Sequence, residues 1–293
     1  MRILFIGSVK FSEITLKKLI QLDSEIVGVC TLEESKFNSD HSDLSYICNQ
    51  NNIPFIYAPK INSESALDWI RSLKPDVIFC FGWSFLLKEE LLSIPPKGVV
   101  GYHPALLPKN RGRHPLIWAL SLGLSETGST FFYMDEGPDS GDIISQEKIL
   151  ISKNDNADIL YTKMCEIASR QIESFYPLML LNIEERVPQD ENKSNYWRKR
   201  SLKDGKIDWR MSADSIFNLI KSLSKPYVGA HFEFEDDLIT VWSAKIIDNK
   251  NSNIEPGKII KNDPKGIIVK TGTNSIMLTN ISPKINLKEG MYL

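Results

Sequence analysis

The chain has 293 residues, of which 42% are hydrophobic and 25% are charged. This length predicts two domains with a sizeable buried core, and the composition is ordinary for a soluble globular protein. The net charge of −2 excludes a general electrostatic attraction to nucleic acid or to an anionic membrane.

The first hundred residues alternate between short β-rich runs and helical patterns. The predicted strands cover residues 3–6, 26–30, 54–57, 77–81 and 99–103, and the clearest helical patterns cover residues 12–22 and 63–73. This alternation predicts the α/β class, with a Rossmann-like, mostly parallel sheet and helices on both faces. Ligands of such sheets bind beyond the carboxyl ends of the strands. The first turn, Gly7-Ser8-Val9-Lys10-Phe11, lacks Gly-x-Gly-x-x-Gly, which argues against NAD binding.

The second half of the chain changes character after a polar stretch. Residues 129–134 and 143–151 are predicted strands, and residues 157–184 carry a long helical pattern. Beyond the stretch, a helix over 213–223 and short strands over 230–234, 238–244, 258–260, 267–270 and 275–281 predict a small, OB-like β-barrel. The expected domains are therefore 1–185 (catalytic, Rossmann-like) and 206–293 (C-terminal β domain), with a linker over 186–205.

Cysteine usage and hydropathy indicate a cytoplasmic protein. The four cysteines are widely spaced and form no Cys-x-x-Cys pair: Cys30, Cys48, Cys80 and Cys165. They are interpreted as buried thiols in a reducing compartment, and no metal site is expected. The sequence shows neither a secretory signal nor an apolar run of the ~20 residues that a membrane span needs.

The most informative side chain is His103, which stands where the predicted strand 99–103 runs into a proline-bounded loop. Asp139 and Asp142 stand on a later loop. An imidazole paired with a carboxylate that fixes its tautomer is a proton-transfer device. A lone histidine at a strand end is also explained as a capped structural side chain, so the surrounding residues must decide.

Those residues make the chain similar to the folate-dependent formyltransferase family. Six motifs occur in the family's order: Phe5-Ile6-Gly7 with Phe11-Ser12, Pro75-Asp76-Val77-Ile78, residues 103–115, Thr127-Gly128-Ser129-Thr130, Asp139-Ser140-Gly141, and Asp204-Gly205-Lys206-Ile207-Asp208-Trp209. The resemblance covers nearly the whole chain. It implies that a formyl group moves from 10-formyltetrahydrofolate, as donor, to an amine.

The resemblance also implies roles for individual residues. His103 matches the family's general acid/base and Asp139 its carboxylate, whereas spacing alone leaves Asp142 open. The implied folate pocket consists of Phe85, Leu86, Leu87, Arg113 and the turn Asp135-Glu136-Gly137-Pro138-Asp139. The expected anchors of a nucleotide diphosphate are Ser8, Lys10, Ser12 and Arg111.

At one position the chain departs from the family. The family has Asn-x-His, in which the asparagine amide donates to the oxyanion that develops on the formyl oxygen, and the corresponding residue here is Gly101. The replacement donor stays open among a protonated His103, a backbone N–H, an ordered water and Asn110. Losing one oxyanion donor costs roughly 10²–10³ in rate. A catalytically inactive folate or sugar-nucleotide binding protein is therefore the non-enzymatic alternative.

Charge patterning predicts which amine is the substrate. Tight tRNA binding needs clustered Lys and Arg, but residues 32–44 carry four acidic residues against one lysine, and residues 206–293 carry 12 Lys/Arg against 10 Asp/Glu. The Arg198-Lys199-Arg200 run is interpreted as solvated. The expected substrate is a nucleotide-linked amino-dideoxy sugar, as used in lipopolysaccharide biosynthesis, with no nucleic-acid or membrane partner. Methionyl-tRNA is the alternative, and the oligomeric state stays open, a homodimer included.

Overall fold

A computed structural model describes residues 1–36, 38–249 and 251–293. Residue 37, which belongs to the acidic segment 32–44, and residue 250 lie outside the described residues. The chain forms two compact units. One consists of Met1–Pro115, Thr127–Ile149 and Thr162–Trp197, and the other of Leu116–Glu126, Leu150–Tyr161 and Arg198–Leu293. The domain boundaries at 185 and 206 stay predictions.

The first unit is built on a seven-stranded sheet. In chain order, the strands up to residue 197 are β1 (Ile3–Ile6), β2 (Ile26–Thr31), β3 (Phe55–Tyr57), β4 (Val77–Cys80), β5 (Val99–His103), β6 (Arg111–Gly112), β7 (Glu126–Tyr133), β8 (Ile143–Leu150) and β9 (Tyr196–Trp197). The large sheet has the order β3-β2-β1-β4-β5-β7-β8, and β6 and β9 form a separate parallel pair. Strands β1 to β5 pair in parallel, whereas β7 is antiparallel to β5. The predicted mostly parallel sheet is confirmed.

Helices flank the strands in sequence. They are α1 (Lys10–Gln21), α2 (Ser45–Gln50), α3 (Glu64–Ser72), α4 (Glu89–Leu92), α5 (Pro115–Ser121), α6 (Ala157–Leu181) and α7 (Ala213–Ser222). In α3, buried Ala66, Leu67 and Ile70 recur at helical spacing and turn one face to the core. Across the described parts of the chain, no helix has both the length and the apolar character needed to cross a bilayer.

The central strands form because their side chains are apolar without interruption. All four residues of β1 and all four of β4 are buried. Continuous burial is typical of parallel strands that are covered on both faces. This packing fixes the carboxyl ends of β1, β4 and β5 at one edge of the sheet, where the loops with the predicted site residues begin.

The second unit contains a five-stranded antiparallel sheet. Its strands are β10 (Ala230–Phe234), β11 (Asp237–Ile247), β12 (Ile259–Asp263), β13 (Gly266–Lys270) and β14 (Ser275–Ser282), in the order β10-β11-β14-β13-β12. Ile216 and Ile220 of α7 join Phe232, Val241 and Leu278 in one buried cluster. The predicted small C-terminal β domain is confirmed.

Candidate active site

His103 ends β5 and is buried, with 4% of its surface exposed. Its Nε2 lies 2.7 Å from the backbone oxygen of Asn110, and its Nδ1 lies 3.5 Å from Oδ2 of Asp139. Because a carbonyl oxygen can only accept, Nε2 carries a hydrogen in this arrangement. Nδ1 therefore faces the carboxylate, and a proton can lie between these two groups.

Asp139 reaches the imidazole because its loop folds back. Strand β7 runs antiparallel to β5, with Tyr133 opposite Val100, so the loop 134–142 starts beside the amino-terminal end of β5 and must turn back to reach His103. Asp139 has φ 59°, a left-handed conformation that Asp and Asn adopt more readily than most residues. The N–H of Gly112 donates to its Oδ2 at 2.9 Å. Among the described residues Asp139, and not Asp142, forms an ion pair with His103.

The close approach of the loop to Tyr133 explains why the third residue of the Asp139-Ser140-Gly141 motif is glycine. A Cβ at residue 141 would collide with the backbone oxygen of Tyr133. Backbone atoms cannot rotate away from such a contact, so a side chain here would displace the loop. The motif is therefore required to bring the Asp139 carboxylate to His103.

Hydroxyl and amide side chains hold the loop that follows His103. Thr127 and Thr130 donate to the backbone oxygens of Pro104 and Ala105, at 3.3 and 2.6 Å. Gln146 donates to the oxygen of Leu107 at 2.9 Å. The Thr127-Gly128-Ser129-Thr130 motif thus supports the histidine loop from the neighbouring strand.

Arg111, a predicted substrate anchor, has no exposed surface. Each of its guanidinium nitrogens donates to a protein oxygen: Nε and Nη2 to Gln189 Oε1, Nη1 and Nη2 to the Glu191 carboxylate, and Nη1 to the Tyr196 hydroxyl. Pairing with Glu191 raises the pKa of Arg111 further. The side chain therefore belongs to the interior, and we do not propose it as a diphosphate anchor.

Residues 189–196, within the segment 186–205 that the sequence predicts to be a linker, contact the loops that carry the site residues. Gln189, Glu191 and Tyr196 hold Arg111 as described, Asn195 accepts from the N–H of Asn110 at 2.9 Å, and β9 pairs with β6. Sequence analysis missed these residues because the segment is polar and has no periodicity. The adjacent aromatic residues of β9, Tyr196 and Trp197, are the one signal it contains.

The Arg111–Glu191 pair predicts a pH-dependent stability. Hydrogen bonding to Arg111 lowers the pKa of Glu191 below its ordinary value of 4.5. In acid the unfolded chain therefore binds a proton at a higher pH than the folded chain does. The stabilisation is complete above the unfolded pKa and is lost as the pH falls through the lowered folded pKa.

We expect Glu191→Gln to lower Tm at neutral pH, with the difference from wild type shrinking in acid. Thermal melts by circular dichroism across that pH range measure it. Glu185→Gln, which changes an exposed carboxylate nearby, is the control. A Tm difference that stays constant at all pH values would contradict the assignment.

The three predicted apolar residues of the folate pocket take different positions. Phe85 and Leu86 are 47% and 71% exposed, whereas Leu87 is buried in the core. Asn62 fixes this turn, because its amide donates to the oxygen of Leu86 and accepts from the N–H of Lys88. Phe85 and Leu86 thus provide apolar surface, and Leu87 packs in the interior.

Arg113 lies beside the same turn. Its Nη1 donates to the backbone oxygen of Ser84 at 3.1 Å. The structure therefore brings Arg113 together with the segment that carries Phe85 and Leu86.

The remaining residues of the predicted folate pocket form a turn of their own, in which the Asp135 carboxylate accepts from the N–H of Gly137 and the hydroxyl of Ser140.

Two buried polar atoms near the segment that carries Phe85 and Leu86 have no hydrogen-bond partner among the described residues: Ser8 Oγ and Trp83 Nε1. They belong to neighbouring segments, because the N–H of Ser8 donates to the oxygen of Gly82 at 3.4 Å. The Trp83 ring contacts the Phe85 ring edge to face, with the ring centroids 5.6 Å apart. Unpartnered polar atoms beside apolar surface suit a flat heterocycle with polar edges, so these residues fit the folate group.

The other predicted anchors on the first turn differ in accessibility. Ser12 is fully buried; its hydroxyl donates to the oxygen of Phe81 at 2.6 Å and accepts from the N–H groups of Ser8 and Val9. Lys10 begins α1 and is exposed. Ser12 thus stabilises the turn between β1 and α1, whereas Lys10 presents its charge to solvent.

The space beside Gly101 is filled by Met134. A Cβ at residue 101 would lie 2.9 Å from Cγ and 3.2 Å from Sδ of Met134, and 3.1 Å from Cζ of Phe132. A thioether is only a weak acceptor and donates no hydrogen bond. Met134 therefore fills the space beside residue 101, where the family resemblance implies an asparagine, but it supplies no hydrogen-bond donor.

The basic run of the second unit is engaged in local contacts. Arg198 forms an ion pair with Asp204, and the guanidinium carbons of Arg198 and Arg200 lie 5.3 and 4.8 Å from the centre of the Trp118 ring. Arg200 also donates to the oxygen of Asp204 at 2.6 Å, and burial lowers its pKa. The interpretation of a solvated run was wrong for Arg200, which is 9% exposed.

Comparisons with known proteins identify similar sequences and folds. Residues 1–174 match the model of the formyl transferase family, and residues 200–289 match that of the formyl transferase C-terminal domain. Over 282 residues the chain is 34% identical to the bifunctional polymyxin resistance protein ArnA of Wigglesworthia glossinidia brevipalpis. That match covers 94% of this chain but only 42% of the relative, so the chain spans about two fifths of its length.

Two solved structures share the fold over nearly the whole chain. WlaRD, a sugar 3N-formyl transferase solved with dTDP and 5-N-formyl-THF, has a TM-score of 0.74 and 17% identity, covering 97% of this chain and 99% of its own. The N-formyltransferase of Helicobacter canadensis, in complex with folinic acid and dTDP-3-aminofucose, has a TM-score of 0.74 and 18% identity, covering 94% and 98%. At these identities the likeness shows the fold.

Proposed function

Because this chain belongs to the formyl transferase family, we propose that it transfers the formyl group of 10-formyltetrahydrofolate to the amino group of a nucleotide-linked amino-dideoxy sugar. The observation that carries the proposal is the buried His103, held between the Asn110 carbonyl and the Asp139 carboxylate within the family-matched region. Formyl transfer needs a proton relay and a shielded pocket, and this arrangement supplies a relay.

Two considerations support a sugar nucleotide as the amine. WlaRD and the Helicobacter canadensis enzyme, which are described with dTDP and dTDP-3-aminofucose, match this chain along nearly their whole length. The four acidic residues in the segment 32–44 and the local contacts of Arg198 and Arg200 both oppose binding of a polyanion. An amine on a small, diphosphate-linked sugar fits better than one on a tRNA.

The chemistry follows from the His103–Asp139 pair. The substrate nitrogen attacks the formyl carbon, the bond from that carbon to folate N10 breaks, and one proton moves from the attacking nitrogen to N10. Since Nε2 of His103 already carries a hydrogen, the Nδ1–Asp139 side is where the pair takes up the additional proton. Protonated His103 then carries a positive charge that can stabilise the developing oxyanion, the role that Gly101 cannot perform.

The proposal is tested by incubating the protein with 10-formyltetrahydrofolate and a panel of dTDP- and UDP-linked amino sugars. Release of tetrahydrofolate is followed by absorbance, and mass spectrometry identifies the formylated sugar nucleotide. Turnover with at least one sugar nucleotide is expected. Tight binding of folate and sugar nucleotide without turnover would support the inactive binding protein instead.

Methionyl-tRNA is expected to be a poor substrate. We predict no measurable formylation of charged initiator tRNA, and binding to tRNA no tighter than non-specific levels, roughly 10⁻⁴–10⁻⁶ M at physiological salt. The reason is the charge of two segments: residues 32–44 carry four acidic residues against one lysine, and residues 206–293 carry 12 Lys/Arg against 10 Asp/Glu. Filter binding at several salt concentrations and a formylation assay measure this, and efficient formylation would replace the sugar proposal with the tRNA one.

A further inference from the structure

We propose that Gln189 is a positioning residue that holds the Asp139 carboxylate against His103; this inference rests on the proposed function. The Gln189 side-chain amide donates to the backbone oxygen of Asp139 at 2.9 Å and to that of Gly141 at 2.7 Å. It therefore binds the loop 134–142 on both sides of Ser140. No residue of the predicted site performs this task.

The loop needs such a restraint because its conformation is not the backbone's preferred one. Asp139 has φ 59°, and Gly141 is packed against the oxygen of Tyr133. Strained conformations persist where the surroundings over-determine them. The distance from His103 Nδ1 to Asp139 Oδ2 is already 3.5 Å. A shift of the loop away from β5 would therefore separate the two groups.

Arg111 determines which way the Gln189 amide points. Its Nε and Nη2 donate to Oε1 of Gln189 at 3.2 and 2.8 Å, so the oxygen must face Arg111 and the NH₂ group must face the loop. Glu191 and Tyr196 hold Arg111 in turn. Strand β6, which carries Arg111, also binds the Asp139 carboxylate directly, because the N–H of Gly112 donates to Oδ2 of Asp139.

These contacts form one path from the segment 186–205 to the catalytic pair. Glu191 and Tyr196 fix Arg111, Arg111 orients Gln189, and Gln189 fixes the backbone of Asp139. Arg111 and Gln189 thus act through Asp139 and do not touch the reacting atoms. This path gives a role to a buried arginine that binds no ligand.

Gln189→Glu and Gln189→Ala separate this role from simple packing. Glutamate has the size of glutamine and keeps an acceptor for Arg111, but it cannot donate to the carbonyls of Asp139 and Gly141. We expect both variants to lose on the order of 10- to 100-fold in kcat, the range for misplacing a catalytic group, with little change in KM. In an Asp139→Asn background, neither should cause a further loss of kcat.

A readout without substrate keeps the test independent of the proposed function. The Gly112 amide, which donates to Asp139 Oδ2, should exchange its hydrogen faster in both Gln189 variants than in wild type, with Glu185→Gln as the matched control. A Gln189→Glu variant with wild-type kcat and wild-type exchange at Gly112 would overturn the inference, as would an additive loss in the Asp139→Asn background. A wild-type protein that lacks formyl transfer would instead contradict the proposed function, and the exchange experiment would still decide the role of Gln189.

Discussion

Replacing His103 with alanine is expected to reduce kcat by at least ~10²-fold, the low end of what acid–base catalysis contributes. The imidazole is the group that the structure places between a carbonyl acceptor and a carboxylate. Without it, the ion pair with Asp139 is lost. Asp139→Asn should lose a similar factor, because an amide cannot take up the proton that passes through Nδ1. Steady-state formylation kinetics measure both variants.

Asp139→Asn is the sharper of the two variants because it changes the chemistry and little else. Asparagine also adopts the left-handed backbone conformation, and its carbonyl oxygen can accept from the N–H of Gly112. The fold and Tm should therefore be retained. Asp142→Asn is the matched control and should keep wild-type kcat. Wild-type kinetics in His103→Ala, or a large loss in Asp142→Asn with none in Asp139→Asn, would exclude this mechanism.

Most of the parallel sheet could be predicted because its strands are uninterrupted apolar runs. The predicted bounds of β1 and β5 coincide with the structure, and β2 and β4 differ by one residue at their carboxyl ends. The short helices α2, α4 and α5 were missed, since four to seven residues are too few to establish a helical period. The position of His103 at the edge of the sheet followed directly from the strand pattern.

The environment of individual side chains could not be predicted from residue type alone. Arg111 and Ser12 look like ligand anchors in the sequence, but both are buried and bound by protein atoms. Their partners come from distant parts of the chain: Gln189 and Glu191 for Arg111, and Phe81 for Ser12. Such contacts depend on which loops the fold brings together, and no local pattern encodes them. The contacts of Gln189, Glu191 and Tyr196 in the polar segment 186–205 were missed for the same reason.

At Gly101 the chain departs from the Asn-x-His pattern that the family resemblance implies, and Gly101→Asn tests what that difference means. The site beside Gly101 already contains Met134, whose Cγ would lie 2.9 Å from a new Cβ. We expect the asparagine to force this side chain aside, with a loss of about 1–3 kcal/mol in the free energy of unfolding, as overpacking usually costs. Activity should fall or stay unchanged, since the inserted amide competes for space in a site arranged around another oxyanion donor.

The double variant Gly101→Asn/Met134→Ala distinguishes crowding from chemistry. Removing the thioether makes room for the asparagine, so the free energy of unfolding should recover part of the loss, and the two substitutions should be non-additive because they are in contact. Met134→Ala alone is the control for the cavity it leaves. If protonated His103 already stabilises the oxyanion, kcat of the double variant should not exceed that of wild type. An increase on the order of 10²-fold, about what one oxyanion donor contributes, would show instead that the site lacks a donor, and that this chain is a weakened member of its family.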